Sequence, residues 1–310
     1  MECCMTTRRY ASLCCFLALA TSPAAMANTP DDMSRPFDRY TWVTTHNAFT
    51  SNGTFPNQSQ TIAEQLNSGV RGLMLDLHFS NGRVRLCHNV CRSLGTQAFA
   101  DLLNETILPF LDAHPDAILT LQLEDFTTLR QLATELEMAP GLAGTTFDPD
   151  SWDTRGWPTY QQMLDRGQRV LIFSLNETNT GAIPAGDGIV DIMATSEYTV
   201  ENYWSLGATP LRHDFSCVSR WGEDVRPLAR QAVTGKPGWR PLFTMNQFHG
   251  VPAQVHAGSD NSYEALTARY LDYCLPVAKR KPNFIAVDFH EVGDAAKVAD
   301  WMTLTAPDGP

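Results

Sequence analysis

At 310 residues, 43% of them hydrophobic, the chain can bury one large core or two modest ones. Its net charge of −11 repels polyanions at long range, which argues against nucleic acid and against general attraction to anionic membranes. Pro and Gly are scattered, no low-complexity linker divides the sequence and no solenoid-length repeat recurs, so a single domain is expected.

Arg8-Arg9, the apolar run from Ala11 to Ala20 and the Ala25-Met26-Ala27 cleavage signal follow the order of a secretory signal peptide. Residues 1–27 are therefore expected to be removed, leaving 28–310 as a secreted or periplasmic domain. A retained anchor is the rival, disfavoured because the apolar core is short for a span. Cys3, Cys4, Cys14 and Cys15 fall in the signal, while Cys87, Cys91, Cys217 and Cys274 remain as an even set suited to an oxidising setting. Cys87 and Cys91 flank His88 and can staple the loop that carries it, and Cys217–Cys274 follows by elimination. A zinc site of thiolates with His88 is the competing reading, but the closer thiolate spacing and second matching pair of such sites are missing.

Short apolar runs alternate with longer helical stretches, the pattern of an α/β chain. The strands expected are Tyr40 to Thr45, Gly69 to Leu77, Arg83 to Cys87, Ala117 to Leu123, Arg169 to Leu175, Val190 to Thr195, Pro241 to Met245 and Asn283 to Phe289. Helices are expected over 59–67, with Ile62 and Leu66 four apart, over 99–113, 128–138 and 263–278, and briefly near 225–232. The intervals 139–157 and the rest of 205–237 read as loop. Eight strands with outer helices predict a TIM-type (β/α)8 barrel, with irregular helices allowed, whose site lies at the C-terminal strand ends.

Polar residues gather at those ends. Residues two apart share a strand face, so Thr44 pairs with His46, Met74 with Asp76 and His78, Gln122 with Glu124, and Asp288 with Ala286 and His290. His46 is expected to be a general base and His88 a general acid, because imidazole titrates near neutrality. Each alone reads better as a structural hydrogen-bonding residue; a histidine at each of two strand ends shifts the balance to chemistry. Asn47, Asp76 and Glu124 can offer oxygens to one divalent cation, calcium or else magnesium rather than zinc. Asp288 can orient His46, or simply close a strand end. His78 and His290 are weaker candidates for substrate contact, and Asn176, Glu197 and Asn246 bind hydroxyls or anchor loops. Met74 offers a thioether where a hard ligand would fit, and its expected role is packing beneath the site.

Thr-Thr-His-Asn at 44–47, Gly-Val-Arg-Gly-Leu-Met-Leu-Asp at 69–76, Leu-Cys-His-Asn-Val-Cys at 86–91 and Leu-Gln-Leu-Glu-Asp-Phe at 121–126 together resemble the phosphatidylinositol-specific phospholipase C X-domain superfamily. Residues 283–289 resemble the closing strand of its secreted, single-domain PLC-like branch. The resemblance implies a TIM-like barrel, His46 as base, His88 as acid, and Asn47, Asp76 and Glu124 as calcium ligands. Metal-independent bacterial relatives carry an arginine near the end of the second strand and a lysine on the fourth; His78 and Glu124 stand in those neighbourhoods here. Calcium-dependent relatives carry a glutamate where this chain has Met74, which leaves the ligand set incomplete.

The function expected is a phospholipase C-like phosphoric diester hydrolase acting on a phospholipid or soluble phosphodiester, with transient membrane-surface contact and no evident protein partner. The rivals are a glycerophosphodiesterase, a sphingomyelinase D-like lipase, or a barrel that binds phosphorylated ligands without turnover, the last motivated by Met74. Trp152, Trp157, Trp204 and Trp221 lie in loop-like regions, where they either touch lipid or pack loops onto the barrel.

Overall fold

The computed structural model describes residues 30–307, apart from 53–54, 89–90, 92–95, 187 and 210. The expected signal segment, residues 1–27, lies outside the described residues. Ten strands are described: β1 Trp42–Thr45, β2 Gly72–Ser80, β3 Arg83–Leu86, β4 Leu119–Asp125, β5 Val170–Ser174, β6 Gly181–Ala185, β7 Gly188–Ala194, β8 Thr199–Glu201, β9 Leu242–Gln247 and β10 Phe284–Val287. Eight of them run parallel in the order β7-β5-β4-β2-β1-β10-β9-β8. The fold is α/β and related to a distorted TIM barrel. Among the described residues no ladder joins β7 to β8, so the barrel has an open seam, spanned in sequence only by the helical turn Thr195–Tyr198.

The eight parallel strands are not the eight expected. Residues 83–87 contribute the return arm of a hairpin, β3 pairing antiparallel to β2. Asn81 and Gly82 both adopt positive φ, 51° and 78°, as in the turn that matches strand twist in tight hairpins. The remaining stave is β8, three residues long and too short to show an alternation. A second hairpin adds β6 to β7.

Helices occupy most of the expected stretches, including 99–113 and 263–278, each interrupted by a π-turn at Leu103–Ile107 and Arg269–Cys274. The expected helix over 225–232 is instead a set of turns, in which Ser219 Oγ donates to the Arg226 carbonyl and the Leu228 N–H to Glu223. Pro227 lacks the N–H a helix would use there. Tyr160–Asp165, Gln254–Asp260 and Ala295–Leu304 are helices the sequence reading did not anticipate. No described helix is long and apolar enough to cross a membrane.

Alternation along the strands divides the interior. Leu73, Leu75 and Leu77 of β2 and Leu121 and Leu123 of β4 join the outer helices in the main core. A second core, rich in aromatic rings, unites Phe37, Trp42, Phe147, Trp152, Trp157, Tyr160 and Trp239. Trp152 and Trp157 are therefore packing residues, whereas Trp204 remains 38% exposed. Gly72 lies opposite Thr44 in the β1–β2 ladder, where an added Cβ would sit 2.1 Å from Thr44 Oγ1. Gly72→Ala should cost roughly 1–3 kcal/mol through overpacking, read as a lower midpoint in thermal melts.

Cys87 is bonded to Cys91 and Cys217 to Cys274. Such disulfides belong to an oxidising, extracytoplasmic compartment. On β7, burial, reinforced by the charges of Asp148 and Asp150, pushes the Asp191 carboxyl up to about 6. A raised acid favours the folded state only while protonated, so this contribution is full at low pH and is lost as pH rises through about 6. Asp191→Asn should raise the melting midpoint at pH about 7 and leave it unchanged near pH 3, below the unfolded carboxyl's range. Equal midpoints at both values would refute the strain assigned to this charge.

Candidate active site

Parallel register places the first catalytic candidate. Thr45 of β1 pairs with Val287 of β10, and the His46 N–H continues the ladder to the Val287 carbonyl at 3.1 Å. The next residues along, His46 and Asp288, therefore meet, with Nδ1 and Oδ1 2.9 Å apart. Asn57 Nδ2 donates to the same Asp288 oxygen at 2.9 Å, and Gln58 Nε2 donates to the His46 and Val287 carbonyls at 2.9 and 3.0 Å. The His46 ring stacks on Phe248, with centroids 3.6 Å apart and planes 5° apart. A carboxylate on Nδ1 fixes the imidazole tautomer and leaves Nε2 for a reaction partner.

The second histidine arrives by the β2–β3 hairpin. Leu86 pairs with Leu77, the Cys87 N–H donates to the Asp76 carbonyl at 3.2 Å, and His88 Nδ1 lies 2.9 Å from Asp76 Oδ2. Because the strand folds back on itself, it supplies both the imidazole and its carboxylate partner. Asp76 also pairs in register with Glu124 of β4. Burial, with the neighbouring Glu124 charge, raises the Asp76 carboxyl pKa, although His88 works in the opposite direction.

Arg220, from the long segment between β8 and β9, completes this charge arrangement and was not anticipated. Its Nη2 lies 2.7 Å from Glu124 Oε1 and its Nη1 3.2 Å from Glu201 Oε1. Glu201 is only 4% exposed, so burial raises its pKa while Arg220 and the Asn246 side chain oppose that rise. Burial alone would disfavour the Arg220 charge, but the two carboxylates hold the guanidinium's pKa above its ordinary value. One arginine thus bridges β4 and β8 across the barrel interior.

His46, Asn47, Asp76, His88, Glu124 and Arg220 all line one cavity of about 630 Å³. That volume is typical of small-molecule sites. Met74, Phe248 and Ala286 form an apolar cluster, with Met74 and Phe248 in the cavity wall, and Phe55, Trp204, Val251 and Pro252 stand around it. Asn47 takes φ 44°, a left-handed conformation that asparagine tolerates. Its amide donates to Asn57 Oδ1 at 3.3 Å.

The five expected substrate contacts lie elsewhere. His78 stacks on Phe126, His290 hydrogen-bonds Gln60, and Asn176 donates to the Thr127 carbonyl. Asn246 donates to Glu201, and Glu197 is exposed on the turn after β7. None of these five belongs to the cavity lining. Asn57, Arg220, Phe248 and His249 do belong to it and carried no local motif that singled them out. His249 also groups with His213 and Asp260, a set whose ligand atoms lie within 4.8 Å of one another and could hold a divalent ion.

Residues 33–205 match the PI-PLC X family, in the form described as PI-PLC X 1. The chain is 30% identical over 300 residues to a PI-PLC X domain-containing protein of Arabidopsis thaliana, covering 92% of this chain and 64% of that protein. It is 25% identical to PI-PLC X domain-containing protein 1 of Arthroderma benhamiae, covering 92% of each. Its fold matches the phosphatidylinositol-specific phospholipase C of Listeria monocytogenes with a TM-score of 0.55, at 14% identity and over 89% of this chain and 96% of that one. The barrel with paired histidines at its strand ends therefore belongs to the PI-PLC X family.

Proposed function

We propose that residues 28–310 form a secreted phosphoric diester hydrolase with phospholipase C-like action on a phosphoinositide-type lipid. The observation that carries this reading is that His46 and His88 line one cavity, each backed by its own carboxylate at 2.9 Å. His46 Nε2 takes the proton of the substrate hydroxyl adjacent to the phosphodiester, and that oxygen attacks phosphorus. His88 donates a proton to the leaving oxygen of the diacylglycerol, so the P–O bond breaks and a cyclic phosphate forms. Holding nucleophile and phosphorus in one molecule supplies much of the acceleration. The exposed Phe55, Trp204 and Val251 beside the cavity suit transient contact with a lipid surface.

Charge developing on the phosphoryl oxygens needs a cation, and Arg220 already stands in the cavity wall. Our preferred reading gives it that task. A second reading keeps calcium, or magnesium, on Asn47, Asp76 and Glu124, which line the same cavity and are hard oxygen donors. Asp76 and Glu124 sit side by side in register on β2 and β4, so the donor set fits such an ion despite Met74. A bound divalent ion would supply Lewis-acid charge neutralisation there.

Product analysis with a panel of phosphodiester lipids, with and without chelator, tests both points. Water-soluble inositol phosphate with diacylglycerol is expected, and release of the headgroup alcohol instead would assign a lipase D-like reaction. With Arg220 as the cation, activity should persist after exhaustive chelation. Its abolition by chelator and recovery with calcium would move the task to the ion.

A further inference from the structure

We infer that His213, His249 and Asp260 form a zinc-class metal site that clasps the rim of the barrel. His213 Nε2 lies 2.7 Å from Asp260 Oδ1, and His249 Nε2 lies 3.2 Å from Asp260 Oδ2. Ligand atoms around a tetrahedral zinc, with bonds of about 2.0–2.2 Å, sit roughly 3.3 Å apart, so only small adjustments are needed to admit an ion. Both imidazoles face the carboxylate through the same nitrogen, as three donors to one centre would.

An independent observation points to a missing ligand. The His249 side chain is 4% exposed, yet its ring nitrogens meet only the Asp260 carboxylate, at 3.2 Å, and the Gly207 backbone, neither contact having the alignment of a full hydrogen bond. A buried imidazole held only by misaligned contacts is costly in a purely hydrogen-bonded cluster and is better satisfied by a metal. Two imidazoles and one carboxylate suit zinc better than calcium, which prefers a larger shell of oxygens. His213 is 31% exposed at its side chain, which leaves an approach for water as a fourth ligand.

The three donors come from separate segments. His213 belongs to the long connection after β8, His249 lies two residues past the end of β9, and Asp260 ends the helix Gln254–Asp260. Beside them, Phe248 stacks on His46, and the Asn261 amide donates to the Asp288 carbonyl at 2.9 Å. The ion would thus fasten the backing of His46 from the side of the cavity that His249 lines. Its binding does not depend on which reaction the cavity performs.

The test uses the full chain, stripped with a strong chelator and then titrated with zinc. Retention of about one zinc per chain after dialysis is expected, together with a rise in melting midpoint on the order of 5 °C. Calcium should give no such rise through these residues. His213→Ala, at the partly exposed ligand, and Asp260→Asn should each abolish the zinc-dependent rise. Should either variant fold poorly, cobalt loading of the unmodified chain decides, with intense visible bands of a four-coordinate ion expected. No retained zinc, a zinc response unchanged in His213→Ala, or the weak bands of six-coordinate cobalt would each overturn the assignment.

Discussion

His46→Ala should lower turnover of a phosphodiester lipid by on the order of 10³-fold or more, with the fold intact. The ring sits in the cavity wall and not in the main core, so its removal costs stability little. His88→Ala should fall comparably, and the two losses should differ in their pH signatures. A base works only when deprotonated, so the acid limb of a bell-shaped profile belongs to His46. An acid works only when protonated, so the alkaline limb belongs to His88. Each variant should lose its own limb, measured as kcat/KM across pH. Ligand binding without turnover in the unmodified chain, undiminished by His46→Ala, would turn the protein into a binding barrel and remove the reaction entirely.

Arg220→Met should have the second large effect, on both stability and activity. It strips the buried Glu201 carboxylate of its cation, a change that typically costs about 3–5 kcal/mol. It also removes positive charge beside Glu124 in the cavity, for which a further loss of roughly 10²- to 10³-fold in turnover is expected. The double change with Glu201→Gln separates the two, since the neutral amide no longer needs an ion pair. Melting should recover in the double variant while turnover stays low. Recovery of both would reduce Arg220 to an architectural residue.

The parts of this arrangement that could be read from sequence are those set by local pattern. His46 and Asp288 share the logic of adjacent parallel strands, and period-two alternation was enough to aim Asp76 and Glu124 at the same mouth. The strand at 83–87 misled because a short alternating run looks alike whichever neighbour it pairs with. Asn81-Gly82, the signal that decides for a hairpin, was in plain view. The helix Tyr160–Asp165 likewise announces itself by a reciprocal cap between Thr159 and Gln162. Arg220 and Asn57 are different. Each reaches its partner through loop geometry, Arg220 across 96 positions to Glu124 and Asn57 across 231 to Asp288. No periodicity encodes such meetings.

The hairpin has an implication for how this scaffold can diversify. The proton acceptor depends on the alignment of two long-range staves, so altering it risks the entire architecture. The proton donor rides on a short ribbon arm, β3, which among the described strands pairs with β2 alone and is held by its own turn and its own covalent staple. Descendants could therefore exchange that ribbon to suit a different departing group while inheriting the attacking half of the chemistry unchanged.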